Sequence, residues 1–262
     1  MIDRVFAYAV VGLAIGVLSG LFGVGGSSIS TPLLRVSLDV PQLIALATPL
    51  PITIPTAFAG GFAYYRKGLV DPNIVLWTVL TGIPGVIAGA ITTAYISGFW
   101  LMMLTGIVVM VIGLRLGWSV IRSTSGSRTV ERVSGERAKV LSGIIGLVVG
   151  FFSGLLANGG GFLLVPAFIL ILGLSMHEAA GTSLVCVAGF AVPGTIVHWL
   201  LGHIDPTIML SLVVAVIPAS YLGARVALQL KSSQVQLLFG AFLVVFSWYF
   251  LYSEIAAALA SH

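Results

Sequence analysis

The chain has 262 residues, of which 58% are hydrophobic and only 8% charged, and its mean hydropathy is +1.14. Soluble domains carry roughly 25% charged residues, so a soluble fold is excluded: these residues cannot supply the polar surface it would expose. The formal charge of +4 is concentrated in a few interhelical loops and reads as topology information, not as a nucleic-acid footprint.

In chain order, apolar stretches fall at residues 5–22, 28–38, 43–65, 74–95 and 100–119, then at 139–156, 162–173, 178–200, 207–229 and 234–253. Most reach the ~20 residues a helix needs to cross hydrocarbon. The second stretch of each set is too short to span. It is separated from the first by glycine-rich sequence, Gly20-Leu-Phe-Gly-Val-Gly-Gly26 and Gly154-Leu-Leu-Ala-Asn-Gly-Gly-Gly161. Each such pair predicts a broken or re-entrant hairpin. The opening Met1–Arg4 has no net positive charge and leads straight into the repeated motif, which argues against a cleaved signal peptide.

A constant shift of 134 positions lays one half on the other without a gap. It carries Ser19-Gly20 onto Ser153-Gly154, Gly25-Gly26 onto Gly159-Gly160, Pro32 onto Pro166 and Thr48 onto Thr182. It also carries Gly68 onto Gly202, Asp71-Pro72 onto Asp205-Pro206, and Pro84 onto Pro218. Greasy segments agree by chance at Leu, Val and Ala, but not at Asp-Pro and paired Gly under one offset. The prediction is an all-α polytopic membrane protein of two five-segment repeats, residues 1–120 and 139–262, joined by a basic linker at 121–138.

Lysine and arginine positions give orientation. The linker region carries Arg122, Arg128, Arg132, Arg137 and Lys139, which places it in the cytoplasm. Arg66 and Lys67 fall on the same side. Their counterpart loop at 203–206 has no Lys or Arg, whereas Arg225 and Lys231 flank a loop whose counterpart near Ser97 has none. Corresponding loops therefore face opposite sides, as inverted repeats require.

A helix broken inside the membrane leaves N–H groups unpaired at the start of the next piece, with about half a positive charge there. An anion complements that end. The candidate substrate-binding residues are Gly25, Gly26, Ser27, Ser28 and Thr48 in one repeat, and Asn158, Gly159, Gly160, Gly161, Thr182 and Ser183 in the other. The bland alternative is that these glycines only let helices pack. Asp71 and Asp205, each before Pro, read as helix caps. Glu178 reads as a dipole-complementing residue and lone Cys186 as a small hydrophobe. Tyr64 and its counterpart His198 are candidates for gating or a proton relay, although Trp199 beside His198 favours an interfacial position. No Cys/His/Asp/Glu cluster has metal spacing or a nucleophile–base pairing, so neither an enzyme, a metal nor a cofactor is expected.

The paired motifs Gly-x-x-x-Gly-x-x-Ser-Gly-Leu-Phe-Gly-Val-Gly-Gly (12–26) and Gly-x-x-x-Gly-x-x-Ser-Gly-Leu-Leu-Ala-Asn-Gly-Gly-Gly (146–161) resemble the TauE/SafE sulfite exporter family. The likeness extends to Thr48, Thr182 and the Asp-Pro loops and covers essentially the whole chain. It implies a bacterial inner-membrane secondary transporter exporting small sulfur-containing anions such as sulfite or sulfoacetate. The expected partners are that anion and the lipid bilayer. A homodimer is compatible with the sequence, although no surface identifies one. The competing reading, from another class, is a non-transporting membrane scaffold or assembly factor, which leaves two matching helix breaks at membrane depth unexplained.

Overall fold

All regular structure is helical among the described residues of the computed structural model, which are 2–27, 30, 31, 34, 40–124, 132–157 and 159–260. The helices are α1 (Ile2–Phe22), α2 (Gln42–Ala47), α3 (Pro49–Tyr65), α4 (Pro72–Thr93), α5 (Gly98–Thr124), α6 (Gly135–Leu155), α7 (Gly161–Leu170), α8 (Met176–Leu200), α9 (Pro206–Ala227) and α10 (Ser232–Ala260). Ser27, Ser30, Thr31 and Leu34 are also helical. Seven helices, counting α2–α3 as one run from Gln42 to Tyr65, are long and apolar enough to cross a membrane.

The bounds of α4 shifted by 134 positions are those of α9, and the same shift carries Gln42 to Met176, Gly98 to Ser232 and Ser27 to Gly161. Helix α6 begins at Gly135 and carries Glu136 and Lys139 in its first turns.

Packing crosses between the halves. Gly12, Gly16 and Gly20 of α1 lie against Leu212, Val216 and Ser220 of α9; Gly146, Gly150 and Gly154 of α6 lie against Thr78, Gly82 and Val86 of α4. Both are parallel pairs of the small-residue type that lets backbones touch. By contrast α3 and α8 run antiparallel, with Leu50 at Gly194 and Tyr64 at Gly181, and so do α5 and α10, with Gly106 at Leu251 and Gly113 at Leu243.

Polar links fix the loops. Asp71 caps α4 by accepting from the Asn73 and Ile74 N–H groups, and Asp205 caps α9 through Thr207 and Ile208. Both aspartates therefore do what Asp-Pro predicts. Arg132 bridges Asp71 at 3.3 Å and Glu178 at 2.7 Å. Glu178 itself closes a capping box with Ser175, a fuller role than dipole complementarity. The Met176 N–H donates to the Ser232 hydroxyl, and His177 contacts the Ala227 carbonyl. These bonds collect Arg66, Lys67, Arg132, Arg137, Lys139, Arg225 and Lys231 on one rim. On the opposite rim, Gln42, Gly98 and the loop at 201–205 carry no Lys or Arg.

Asp205→Ala is expected to cost about 1 kcal/mol, the usual worth of an N-cap. Asp71→Ala should cost more, because it also releases Arg132. Thermal unfolding in detergent measures both, and equal melting of Asp71→Ala and wild type would discount the rim contacts.

Candidate functional site

The two glycine-rich breaks meet in the interior. After Phe22 the chain leaves the helix through Gly23, Gly25 and Gly26, with φ of 76°, 78° and 92°. After Leu155 it does so through Ala157, Gly159 and Gly160, with φ of 46°, 67° and 77°. These left-handed values suit glycine and strain Ala157, the one non-glycine with positive φ among the described residues. Ala157 stands where the first repeat has Gly23.

Helical chain resumes at Ser27 in one repeat and at Gly161 in the other. Gly161 lies directly on the Val24 backbone, so closely that a Cβ there would overlap it. A Cβ on Gly159 would lie 3.3 Å from the Ser27 hydroxyl oxygen and 3.3 Å from Thr53 Cγ2. On Gly25 it would collide with Val187 and come within 2.8 Å of Thr53. The candidate residues Gly25, Gly26, Ser27, Gly159, Gly160 and Gly161 thus form one cluster, with Thr53 of α3 and Val187 of α8 as neighbours. Ser27, Thr53 and Val187 are each at most 1% exposed, so the cluster is shut off from both rims. Ser28 and Asn158 lie outside the described residues.

Helix direction matters here. The helix from Gly161 runs toward the basic rim, where Leu172 accepts from the Val133 N–H. The one from Ser27 runs the other way, toward Val40 and Gln42. Two N-terminal helix ends therefore abut, each carrying about half a positive charge.

The predicted threonines take a different place. Thr48 sits between α2 and α3, and its hydroxyl accepts the Asp205 N–H at 3.0 Å; Thr182 lies in the second turn of α8 and accepts the Asp71 N–H at 3.1 Å. Both tie a helix of one half to a capped loop of the other. Ser183 is buried, with no hydrogen-bond partner for its hydroxyl among the described residues.

Tyr64 and His198 occupy equivalent positions and make equivalent bonds. The Tyr64 hydroxyl donates to the Gly20 carbonyl at 3.0 Å, and His198 Nε2 lies 2.9 Å from the Gly154 carbonyl. Each bonds a carbonyl in the last turn before a break; the Gly154 carbonyl also accepts the Ala157 N–H at 3.3 Å. His198 is fully buried two residues before the end of α8, its ring turned to the Gly154 carbonyl, while Trp199 beside it is exposed. Because a carbonyl only accepts, Nε2 carries the proton and Nδ1 is left as the acceptor for His203 Nδ1–H, 3.3 Å away. Burial lowers the His203 pKa from the ordinary imidazole value. In the first repeat Leu69 stands in place of His203, so that half has no such pair.

Sequence reasoning missed Thr53, Val187 and His203. The signal was present, because each is a site where the two halves disagree: Thr53 against Val187 and Leu69 against His203.

Comparison with known proteins places this architecture. The family model described as sulfite exporter TauE/SafE matches residues 8–250. The chain belongs to the TauE/SafE family. A probable membrane transporter protein of Xylella fastidiosa (strain Temecula1) is 28% identical over 251 residues, covering 94% of each chain. The probable membrane transporter protein YunE of Bacillus subtilis is 27% identical, covering 94% of this chain and 97% of its own. An archaeal relative, probable membrane transporter protein MJ0441 of Methanocaldococcus jannaschii, is 22% identical and covers 92% of this chain. No solved structure matches. As a TauE/SafE member the protein is a multi-pass membrane transporter, and no group of three or more His, Cys, Asp or Glu able to hold a metal ion occurs among its described residues.

Proposed function

We propose that the protein exports small sulfur-containing anions, such as sulfite, sulfoacetate or a related sulfonate or thiol-carboxylate, through the glycine cluster between its halves. The observation that carries this reading is the abutment of two N-terminal helix ends at Val24 and Gly161. Two like partial charges repel in a medium of low dielectric. A small anion between them converts that repulsion into attraction, with backbone N–H groups and the Ser27 hydroxyl as donors.

The halves are inverted repeats, with the basic rim cytoplasmic and both termini outside. The buried cluster is then an occluded state, and access alternates by movement of proline-interrupted helices, with Pro84 in α4 and Pro218 in α9 at equivalent positions. No coupling ion is needed for exit. An inside-negative potential drives an anion outward by about 2.3 kcal/mol per charge per 100 mV.

Efflux of sulfite and sulfoacetate from proteoliposomes, with and without an imposed inside-negative potential, tests this. The potential should accelerate efflux, and Ser27→Ala should slow it at least ~10-fold, the loss of one hydrogen bond to a charged group. The variant should elute and melt like wild type. Absence of flux for every anion, or full-rate flux in folded Ser27→Ala, would overturn the reading.

A further inference from the structure

The antiparallel helices α3 and α8 have two sides. Thr53 and Val187 face the glycine cluster, whereas Ile54, Phe58 and Phe62 with Val185 and Val192 line a groove of about 460 Å³ on the outer side, floored by Gly61 and Gly189. Phe58, Phe62 and Tyr65 are more than half exposed there. The groove is apolar along its length and occupies one half of the span only. From Ile54 to Tyr65 it covers twelve residues, about 16 Å from first to last at ~1.5 Å per residue. That is about half of a ~30 Å hydrocarbon core, the depth of a single leaflet.

Its two ends differ in charge. At the basic rim it terminates at Tyr65, followed immediately by Arg66 and Lys67, both exposed. The Arg66 guanidinium sits 5.8 Å from the centroid of the Phe62 ring, over the groove's mouth. Among the described residues neither cation is paired with an acid, since Asp71 and Glu178 are held by Arg132 and Glu136 by Lys139. Toward the other rim α8 ends in Trp199 and Leu200, followed by residues 201–205 without Lys or Arg.

From this geometry we infer a binding site for one anionic phospholipid of the basic-rim leaflet, with an acyl chain in the α3–α8 groove and its phosphate on Arg66 and Lys67. An acyl chain matches the groove in polarity and depth, and the two cations supply the charge complementarity that separates a bound anionic lipid from the annulus. The occupant would lie against the outer side of the two helices whose inner sides enclose the glycine cluster. Its presence does not depend on which anion is carried.

Native mass spectrometry of the intact protein, extracted from equal mixtures of phosphatidylglycerol and phosphatidylcholine, reads the site directly. Wild type should retain one phosphatidylglycerol in preference to phosphatidylcholine. Arg66→Gln with Lys67→Gln should reduce that retention at least ~10-fold, and Val192→Trp, which fills the groove from its exposed rim, should do the same. Arg225→Gln, a basic-rim change elsewhere, should leave it intact. The cations are exposed, so their double variant keeps the fold even if Val192→Trp does not. Equal retention of the two lipids, or undiminished retention in the double variant, overturns the site. So does efficient disulfide capture of a second copy through Phe58→Cys, because the groove is then an interface between chains.

Discussion

Gly20→Ala and Gly154→Ala are each expected to abolish the folded protein, while Gly117→Ala leaves it intact. A Cβ at Gly20 would overlap the Ser220 carbonyl and lie 2.7 Å from the Ala224 amide nitrogen; at Gly154 it would overlap the Val86 carbonyl and lie 2.8 Å from the Ala90 nitrogen. These neighbours are backbone, so no rotamer change relieves the clash. The helices must separate, and separation costs every contact along the stripes Gly12–Gly16–Gly20 and Gly146–Gly150–Gly154. Overpacking of ordinary cores costs about 1–3 kcal/mol, and displacement of two backbones in contact belongs above that range. At Gly117 nothing lies within 4 Å of a new Cβ, which makes it the matched control. Size-exclusion elution and thermal unfolding in detergent check the outcome. Wild-type melting of Gly154→Ala would mean that the α4–α6 contact is not a close backbone packing.

His198→Phe should destabilise the protein by about 0.5–1.5 kcal/mol, the usual net worth of one hydrogen bond. The bond lost is that of His198 Nε2 to the Gly154 carbonyl at 2.9 Å, which then keeps the Ala157 N–H at 3.3 Å. His198→Tyr should recover most of that loss, because Tyr64 already makes the same bond to Gly20 in the other half. A pH effect accompanies it. His203 has a pKa below its unfolded value of ~6.5, so just below that pH the unfolded chain binds more protons than the folded one. Stability is thus complete above ~6.5 and is lost as pH falls through the folded value. His203→Leu, which copies Leu69, should flatten this slope. A melting temperature equally steep in pH for His203→Leu would remove His203 from the account.

Much of this architecture was legible in the chain because its signals are local. Helix length follows from apolar run length, capping from Asp-Pro, and each break from glycines beside a segment too short to span. The offset of 134 positions then set the two halves in register. What could not be read was which faces meet. The stripe Gly12–Gly16–Gly20 announces a close helix contact, but nothing in its spacing names α9 as the partner. Thr48 and Thr182 illustrate the same limit. Their equivalence under the shift was visible, yet the Asp205 and Asp71 N–H groups they hold lie 157 and 111 positions away. The bond of the His198 ring to the Gly154 carbonyl, 44 positions away, was equally out of reach of local signals.

The crossed pairing of α1 with α9 and α4 with α6 has a consequence for how the protein is made. α1 ends at residue 22, while its partner begins at residue 206. At translation rates of about 5–20 residues per second, roughly 10–40 s separate their emergence from the ribosome. Throughout that interval the glycine face of α1 is in the bilayer without the helix that will cover it. Neither half completes its interior alone, since each supplies the helix the other half encloses. A ribosome that stalls in the central linker leaves a membrane-inserted fragment without its closing partner, and two separately synthesised halves carry all the surfaces needed to find each other.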